Sequence, residues 1–208
     1  MRDTHCVDET SADVEKLSRV LIEMLEAKDW YTGRNHSQSV GSLSTRIGKT
    51  LLAQGIGSQD PTSLDWLDLP TLHLGGQLHD VGKLAVPWSL LNKISPLTPD
   101  ELDNVRAHAA LGEQILNELG LHRAARIAGQ HHERCDGKGY PRGIRDITLM
   151  GAIAAVADAF EAMTTANRRY RAKMNRDEGV QELVRCRGTV FDPRVVDAMV
   201  SIFTRPPR

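Results

Sequence analysis

The chain has 208 residues, of which 40% are hydrophobic and 25% are charged, and its formal net charge is −1. This length predicts one domain that buries a sizeable hydrophobic core. The near-zero charge argues against a general nucleic-acid binder or a binder of acidic membranes, so an anionic ligand would need a local cluster of cations or metal ions.

Cysteine usage and hydropathy predict a cytoplasmic protein. The three cysteines, Cys6, Cys135 and Cys186, are widely spaced and form no CxxC pair, as expected in a reducing compartment. No apolar run approaches the ~18 residues of a membrane helix, and the N-terminus has no signal-peptide core. We therefore expect neither a membrane nor a nucleic-acid polymer as a partner.

Apolar residues recur at helical spacing along the whole chain, which predicts an all-α fold of about seven to nine helices. The first helix would begin near Ser11 as an N-terminal extension, residues 1–29, on a single domain that spans residues 1–208. A second helix would begin near His36 and end near Gly55. The first helix is expected to bury one apolar stripe, formed by Val14, Leu17, Val20, Leu21, Met24 and Leu25.

A third predicted helix carries His79 and Asp80 and ends at Gly82 and Lys83. Consecutive positions lie about 100° apart around a helix axis. The aspartate could bridge two metal ions through its two oxygens while the histidine binds one of them. Lys83 could contact a phosphate oxygen as a point charge, or it could be a solvated lysine at a helix end.

The next predicted helix starts at a capping box, Thr98 to Glu101, and continues to Gly120 with His108 inside it. Taken alone, His108 is an ordinary helical histidine. Gly112 has no side chain, so it would leave room beside His108 one turn later.

A histidine pair followed by a glycine-rich turn occupies residues 131–141, with the sequence His-His-Glu-Arg-Cys-Asp-Gly-Lys-Gly-Tyr-Pro. Its glycines permit positive φ and a close approach of the backbone to a ligand. Tyr140 could stack on a base or donate to a phosphate, or it could be a core residue in a tight turn.

A strongly apolar predicted helix from Met150 to Met163 contains Asp158. An unpaired carboxylate is unfavourable in such surroundings, and metal coordination would remove that penalty. Basic residues follow this helix, either as a solvated face or as contacts for phosphates or guanine edges. They are Arg168, Arg169, Arg171, Lys173 and Arg176.

Three features together resemble the HD-GYP family, a branch of the HD-domain metal-dependent phosphohydrolases. They are HD-x-GK at residues 79–83, HHExxDGxGYP at residues 131–141 and the remote Asp158. The resemblance covers about residues 30–200 and implies an all-α HD-domain bundle. It also implies phosphodiesterase activity on cyclic di-GMP, in which a hydroxide shared by two divalent ions, such as Fe or Mn, attacks phosphorus.

The resemblance assigns residue roles as well. The implied metal ligands are His36, His79, Asp80, His108, His131, His132 and Asp158. Asp80 and Lys83 are the implied catalytic residues. The implied substrate contacts are Gly139, Tyr140, Pro141, Arg168 and Arg171.

The chain departs from the family pattern at two informative positions. Glu161 stands where an aspartate is usual. Thr32 stands four residues before His36, where some relatives carry a glutamate that binds a third ion. If this segment were helical, residue 32 would face the same cavity as His36. We therefore expect two ions, with Asp29 as the residue that could replace the missing glutamate.

Two alternative functions stay open. The chain could hydrolyse another nucleotide, such as a different cyclic dinucleotide. It could also be a signalling adaptor with an HD fold that binds protein partners and turns over little substrate. The complete set of implied ligands argues against the adaptor, because loss of one or more ligands is typical of that class.

Overall fold

The computed structural model describes residues 11–30, 35–165 and 173–204. These residues form ten α-helices and one 3-10 helix, Val81–Ala85, with two isolated β-bridges and no strand. Nine of the ten α-helices have at least eight residues, so the predicted all-α class is confirmed. The helices are α1 (Ala12–Lys28), α2 (His36–Ala53), α3 (Leu69–Leu78), α4 (Trp88–Leu91), α5 (Pro99–Arg106), α6 (His108–Glu118), α7 (His122–Gln130), α8 (Leu149–Thr164), α9 (Arg176–Arg185) and α10 (Pro193–Thr204).

Two hydrophobic cores organise the bundle. The larger core packs α2, α8 and α10 together through residues such as Ile47, Ile153 and Met199, which have no solvent exposure. The smaller core joins α1 and α3 to α6 and α7, and Leu116 is fully buried in it. Helix α3 contributes to both cores, and the His79–Asp80 pair follows directly after its last residue, Leu78.

The N-terminal helix α1 buries only part of the apolar stripe that was predicted for it. Val14, Ile22 and Leu25 are buried, and α1 packs against α3 and the 3-10 helix. Three residues of the predicted stripe are exposed instead, Leu17 at 37%, Val20 at 45% and Met24 at 54%. The prediction was wrong for them because a broad apolar stripe does not specify which edge of it meets the core.

Helix α3 ends before the His79–Asp80 pair, so the prediction that a helix carries both residues was wrong. α3 stops at Leu78, and the 3-10 helix begins at Val81. The physical reason is the close packing of Gly82, where an added Cβ would lie 1.9 Å from the carbonyl oxygen of His108. Only a glycine allows the chain to approach α6 so closely.

The helix predicted from Thr98 to Gly120 is also divided. The capping box at Thr98 and Glu101 is present, but α5 ends at Arg106 and α6 begins at His108. Gly112 does not leave space beside the imidazole of His108. Instead it faces the backbone of Gly82, whose nitrogen would lie 3.2 Å from a Cβ at position 112.

Within the described ranges, no helix combines the length and hydropathy that a bilayer crossing requires.

Candidate metal centre

The fold brings the seven side chains that sequence reasoning assigned to metal binding into two adjacent groups. Within each group, one candidate ligand atom from every residue lies within 4.8 Å of the others. The first group consists of His36, His79 and Asp158, and the second consists of Asp80, His108, His131 and His132. The residues come from α2, α6 and α8 and from the ends of α3 and α7.

The first group directs its donor atoms at one point. His36 is the first residue of α2, and its Nε2 lies 3.3 Å from Nε2 of His79. Asp158, in the middle of α8, places Oδ1 3.5 Å from His36 Nε2 and 3.8 Å from His79 Nε2. A carboxylate and two imidazoles at these distances match the mixed nitrogen and oxygen ligation of a transition-metal ion.

Asp80 faces both groups with different oxygens. Its Oδ2 lies 3.3 Å from Nε2 of His79 and 3.7 Å from Nε2 of His36. Its Oδ1 lies 3.2 Å from Nε2 of His108 and 3.9 Å from Nε2 of His131. One buried carboxylate is therefore placed to bridge the two groups.

Three imidazoles cluster around Asp80 in the second group. Nε2 of His108 lies 3.4 Å from Nε2 of His131. The ring of His132 lies against both, with centroids 5.0 Å from that of His108 and 3.9 Å from that of His131. Three neighbouring imidazoles are a donor set suited to a metal ion.

Hydrogen bonds to the backbone fix three of the imidazoles. The Nδ1 atoms of His79, His108 and His131 lie 2.7–2.8 Å from carbonyl oxygens. Because a carbonyl only accepts, each Nδ1 carries the proton and each Nε2 lone pair points into the cluster. Each of these histidines lies at a helix boundary and uses a carbonyl three residues earlier. Those acceptors belong to Gly76, Val105 and Ala128.

His36 is fixed by a carboxylate instead. Its Nδ1 donates to Oε2 of the buried Glu161 at 2.5 Å, and Thr165 donates its hydroxyl to the other oxygen of Glu161 at 2.8 Å. Such a carboxylate orients the ring and raises its basicity as a ligand. Sequence analysis noted Glu161 only as a departure from the family pattern and missed this contact. The signal was its position three residues after Asp158 on the same helix.

The surroundings keep two of the histidines neutral. Burial lowers the pKa of His131 well below its usual range, and the neighbouring histidines lower it further. Burial has the same effect on the pKa of His132. Neutral imidazoles are the form that binds metal ions.

The carboxylates of the centre stay ionised despite burial. Burial opposes the charge of Asp80, but Lys83 and His79 hold the pKa of this carboxyl well below its usual range. Burial also disfavours a protonated His36, yet hydrogen bonds to Asp80 and Glu161 raise its pKa to about 10. Asp80 and Glu161 therefore favour a positive charge beside them, which a proton on His36 supplies in the metal-free protein.

Lys83 lies against two aspartates. Its Nζ is 2.7 Å from Oδ2 of Asp80 and 2.9 Å from Oδ2 of Asp29. Asp29 follows the last residue of α1, so the N-terminal helix contributes to the centre. Burial lowers the pKa of Lys83, but the two carboxylates outweigh burial and raise it, and the ammonium stays charged.

The glycine-rich turn packs on its own chain. Gly137 has φ +73°, as predicted, but an added Cβ at Gly139 would lie 2.5 Å from the carbonyl oxygen of His132. The close approach of Gly139 in this structure is to the backbone of the preceding segment. The buried carboxylate of Glu133, which sequence analysis missed, accepts the backbone N–H groups of Arg142 and Ile144 at 2.8 and 3.1 Å and holds the turn in place.

The structure describes three of the five predicted substrate contacts, Gly139, Tyr140 and Pro141. The ring of Tyr140 stacks on His132 with centroids 4.6 Å apart, and the Arg106 guanidinium lies 5.5 Å from its centroid. Pro141 is exposed and follows a cis peptide bond. Arg168 and Arg171 lie outside the described residues.

A cavity of about 530 Å³ opens beside the two groups of ligands. Its lining includes the candidate ligands Asp80, Asp158, His108 and His132, together with Lys83 and Tyr140. Its size falls within the range of small-molecule sites. The cavity therefore gives a ligand direct access to the candidate metal centre.

Comparison with known proteins identifies the family. The HD domain family model matches residues 19–195. A cyclic di-GMP phosphodiesterase of Thermotoga maritima is 35% identical over 188 residues, which cover 88% of this chain and 48% of the relative. The 3'3'-cGAMP-specific phosphodiesterase 3 of Vibrio cholerae is 37% identical over 85% of this chain and 36% of the relative.

A solved structure has the same fold. The crystal structure of a cyclic GMP-AMP specific phosphodiesterase of V. cholerae superposes with a TM-score of 0.62 at 18% identity, over 91% of this chain and 49% of that one. The chain thus spans about half or less of the length of these proteins. It belongs to the HD domain family, and the predicted resemblance to the HD-GYP branch is confirmed.

Proposed function

We propose that this chain is a metal-dependent phosphodiesterase that hydrolyses cyclic di-GMP. The observation that carries the proposal is the position of Asp80, whose two oxygens face separate groups of donor atoms. The similarity to a phosphodiesterase named for cyclic di-GMP, over most of this chain, supports the choice of substrate.

The donor set fits two divalent ions. His36, His79 and Asp158 would hold one ion, His108, His131 and His132 the other, and Asp80 would bridge them. The fit rests on three Nε2 lone pairs that backbone hydrogen bonds direct inward. Mixed nitrogen and oxygen ligation suits Fe, Mn or another transition metal. When bound, such ions would activate water and neutralise phosphoryl oxygens.

The protein side chains supply orientation and charge. Backbone carbonyls hold His79, His108 and His131 in one tautomer, and Glu161 orients the ring of His36, which limits reorganisation when a substrate binds. Lys83 lies in the cavity wall beside Asp80, where its ammonium could contact a phosphoryl oxygen. We assign Asp80 and Lys83 the catalytic roles, and Tyr140, Pro141, Gly139, Arg168 and Arg171 substrate-side roles.

A second candidate substrate is 3'3'-cGAMP. The observation that favours it is the 37% identity to a phosphodiesterase named for that dinucleotide. The two substrates share the diester that the ions would engage and differ in one base. Residues away from the ions would therefore decide between them.

The adaptor alternative predicts protein partners and little turnover. It is disfavoured because all seven candidate ligands are present and converge. The cytoplasmic location and the division into a domain with a helical extension, residues 1–29, stay predictions.

The test is a direct assay of the full chain. Protein loaded anaerobically with Fe or Mn is incubated with cyclic di-GMP, 3'3'-cGAMP and other cyclic dinucleotides, and chromatography separates the products. We expect metal-dependent conversion of cyclic di-GMP to linear or mononucleotide products. Preferred hydrolysis of 3'3'-cGAMP would establish the second candidate, and no hydrolysis of any dinucleotide would favour the adaptor.

A further inference from the structure

One wall of the cavity beside the metal centre is aliphatic. Leu90, Leu91, Leu97 and Val105 line it, and all four are partly buried. They come from α4, α5 and the segment that joins these helices. We call these four residues the aliphatic wall.

The aliphatic wall does not serve either core. None of its four residues belongs to the two hydrophobic clusters of the described chain or packs against them. Aliphatic side chains that face a cavity gain free energy when a ligand removes them from water. A phosphate group cannot provide this gain, because its oxygens need polar partners.

The segment that carries the wall is held in place before any ligand binds. Lys93 pairs with Glu101 at 2.5 Å, and Glu101 also closes the capping box of α5. Asn92 donates its side-chain amide to the carbonyl oxygen of Lys28, at the end of α1. A preformed wall loses little conformational entropy on binding.

Tyr140 also lines the cavity, and its ring already makes contacts within the protein. His132 stacks on it, and the guanidinium of Arg106 lies over it. A planar base that enters the cavity would meet the aliphatic wall without displacing either group. The candidate metal ligands Asp80 and Asp158 also line the cavity, and metal ions bound there would attract the phosphate.

We propose that the aliphatic wall receives a nucleobase of the substrate while the diester lies at the metal centre. This inference rests on the proposed function and deepens it. The wall makes the site selective for nucleotides over simple phosphates, because a base adds apolar contact that phosphate lacks.

Calorimetric titration of the metal-loaded protein with GMP and with inorganic phosphate tests this assignment. We expect Leu97→Asn and Leu91→Asn to weaken GMP binding about tenfold, since each replaces an apolar contact with a polar amide of similar size. Phosphate binding should change less than about twofold in both variants. Ile94→Asn is the matched control, because Ile94 lies in the same segment, is 70% exposed and does not line the cavity.

The outcomes separate this inference from the proposed function. Unchanged GMP affinity in both wall variants would overturn the base site, as would equal losses for GMP and phosphate. Wild-type protein that binds GMP no more tightly than phosphate would overturn it too. Hydrolysis of cyclic di-GMP by wild-type protein is scored separately, so a wall-dependent affinity for GMP without hydrolysis would refute only the proposed activity.

Discussion

At Asp80, the two carboxylate oxygens face different histidines, with Oδ2 3.3 Å from His79 and Oδ1 3.2 Å from His108. Because this carboxylate lies between two groups of candidate ligands, its removal should weaken metal binding at both groups. His132, in contrast, belongs to one group only. Replacing Asp80 and replacing His132 should therefore cause different patterns of metal loss.

We expect Asp80→Ala to abolish activity and to deplete both metal ions, because one carboxylate serves both. His132→Ala should deplete one ion preferentially. Metal content per chain, measured by mass spectrometry after identical loading, checks both expectations. His122→Ala is the control, since His122 is an exposed histidine outside the two groups. Equal metal content in Asp80→Ala and wild type would refute the bridging role.

Variants of Glu161 test whether a carboxylate that binds no metal itself, but holds the ligand His36, affects metal affinity. Its Oε2 accepts from Nδ1 of His36 at 2.5 Å. Loss of such a partner weakens metal binding roughly ten- to a hundredfold. Glu161→Ala should show this loss, and Glu161→Gln should lie between it and wild type because its amide oxygen still accepts.

Competition with a chelator measures these affinities. Thr165→Val is the matched control, because it removes only the hydroxyl that donates to the other oxygen of Glu161. An affinity in Glu161→Ala equal to that of wild type would mean that the backbone alone positions His36.

At the scale of the elements, the contact between the 3-10 helix and α6 positions the ligands on both. A Cβ at Gly82 would lie 1.9 Å from the His108 carbonyl oxygen, whereas the nearest atom to a Cβ at Gly112 would be 3.2 Å away. Gly82→Ala should therefore lower the free energy of unfolding by about 1–3 kcal/mol or more, and Gly112→Ala by less. Chemical denaturation of the metal-free proteins measures both.

Gly82→Ala should also reduce metal content, because Asp80 and His108 flank the contact. Equal stability of Gly82→Ala and Gly112→Ala, together with metal binding like that of wild type, would contradict this prediction. The positions of the 3-10 helix and α6 would then not require their close contact at Gly82.

Sequence reasoning brought together the candidate ligands more accurately than it predicted the helices that carry them. The motifs at His79 and His131 are local, so their residue types were sufficient to predict a metal centre. The ends of α3 and α5 were not predictable, because the apolar periodicity continues through His79 and Ala107. Their breaks depend on tertiary contacts, such as that of Gly82, between segments distant in sequence.

At the scale of the whole molecule, the candidate metal centre lies where the two hydrophobic cores meet. His36 and Asp158 come from α2 and α8 of the larger core, while His108 and His131 adjoin helices of the smaller one. Bound ions would therefore connect the two halves of the bundle and neutralise clustered carboxylates.

Metal removal should consequently lower the thermal stability of the whole domain. An ion that binds only the native state at about 100 times its Kd adds about 2.7 kcal/mol. For a protein of this size that corresponds to roughly 5–10 °C in Tm. Scanning calorimetry with and without chelator measures the shift, and Asp80→Ala should show almost none. A Tm in wild type that does not respond to chelation would mean that the ions bind without stabilising the fold.

The number of metal ions that one chain binds is also a property of the whole molecule. The expectation of two ions used Thr32, which lies outside the described residues, and assumed a helix from Thr32 to His36. That assumption was wrong, because α2 begins at His36 after Asn35, whose φ of +67° is left-handed. The expectation now rests on the two groups of donors among the described residues. Asp29, the residue that could replace the missing glutamate, accepts a hydrogen bond from Lys83 through its carboxylate.

A third cation near Asp29 would meet the Lys83 ammonium and the charge of two other ions, so repulsion opposes it. We expect protein loaded anaerobically with iron or manganese to contain close to two ions per chain. Lys83→Met removes the ammonium and should leave this stoichiometry near two if the donor groups alone set it. A reproducible value of three in wild type would show that the donor set extends beyond these two groups.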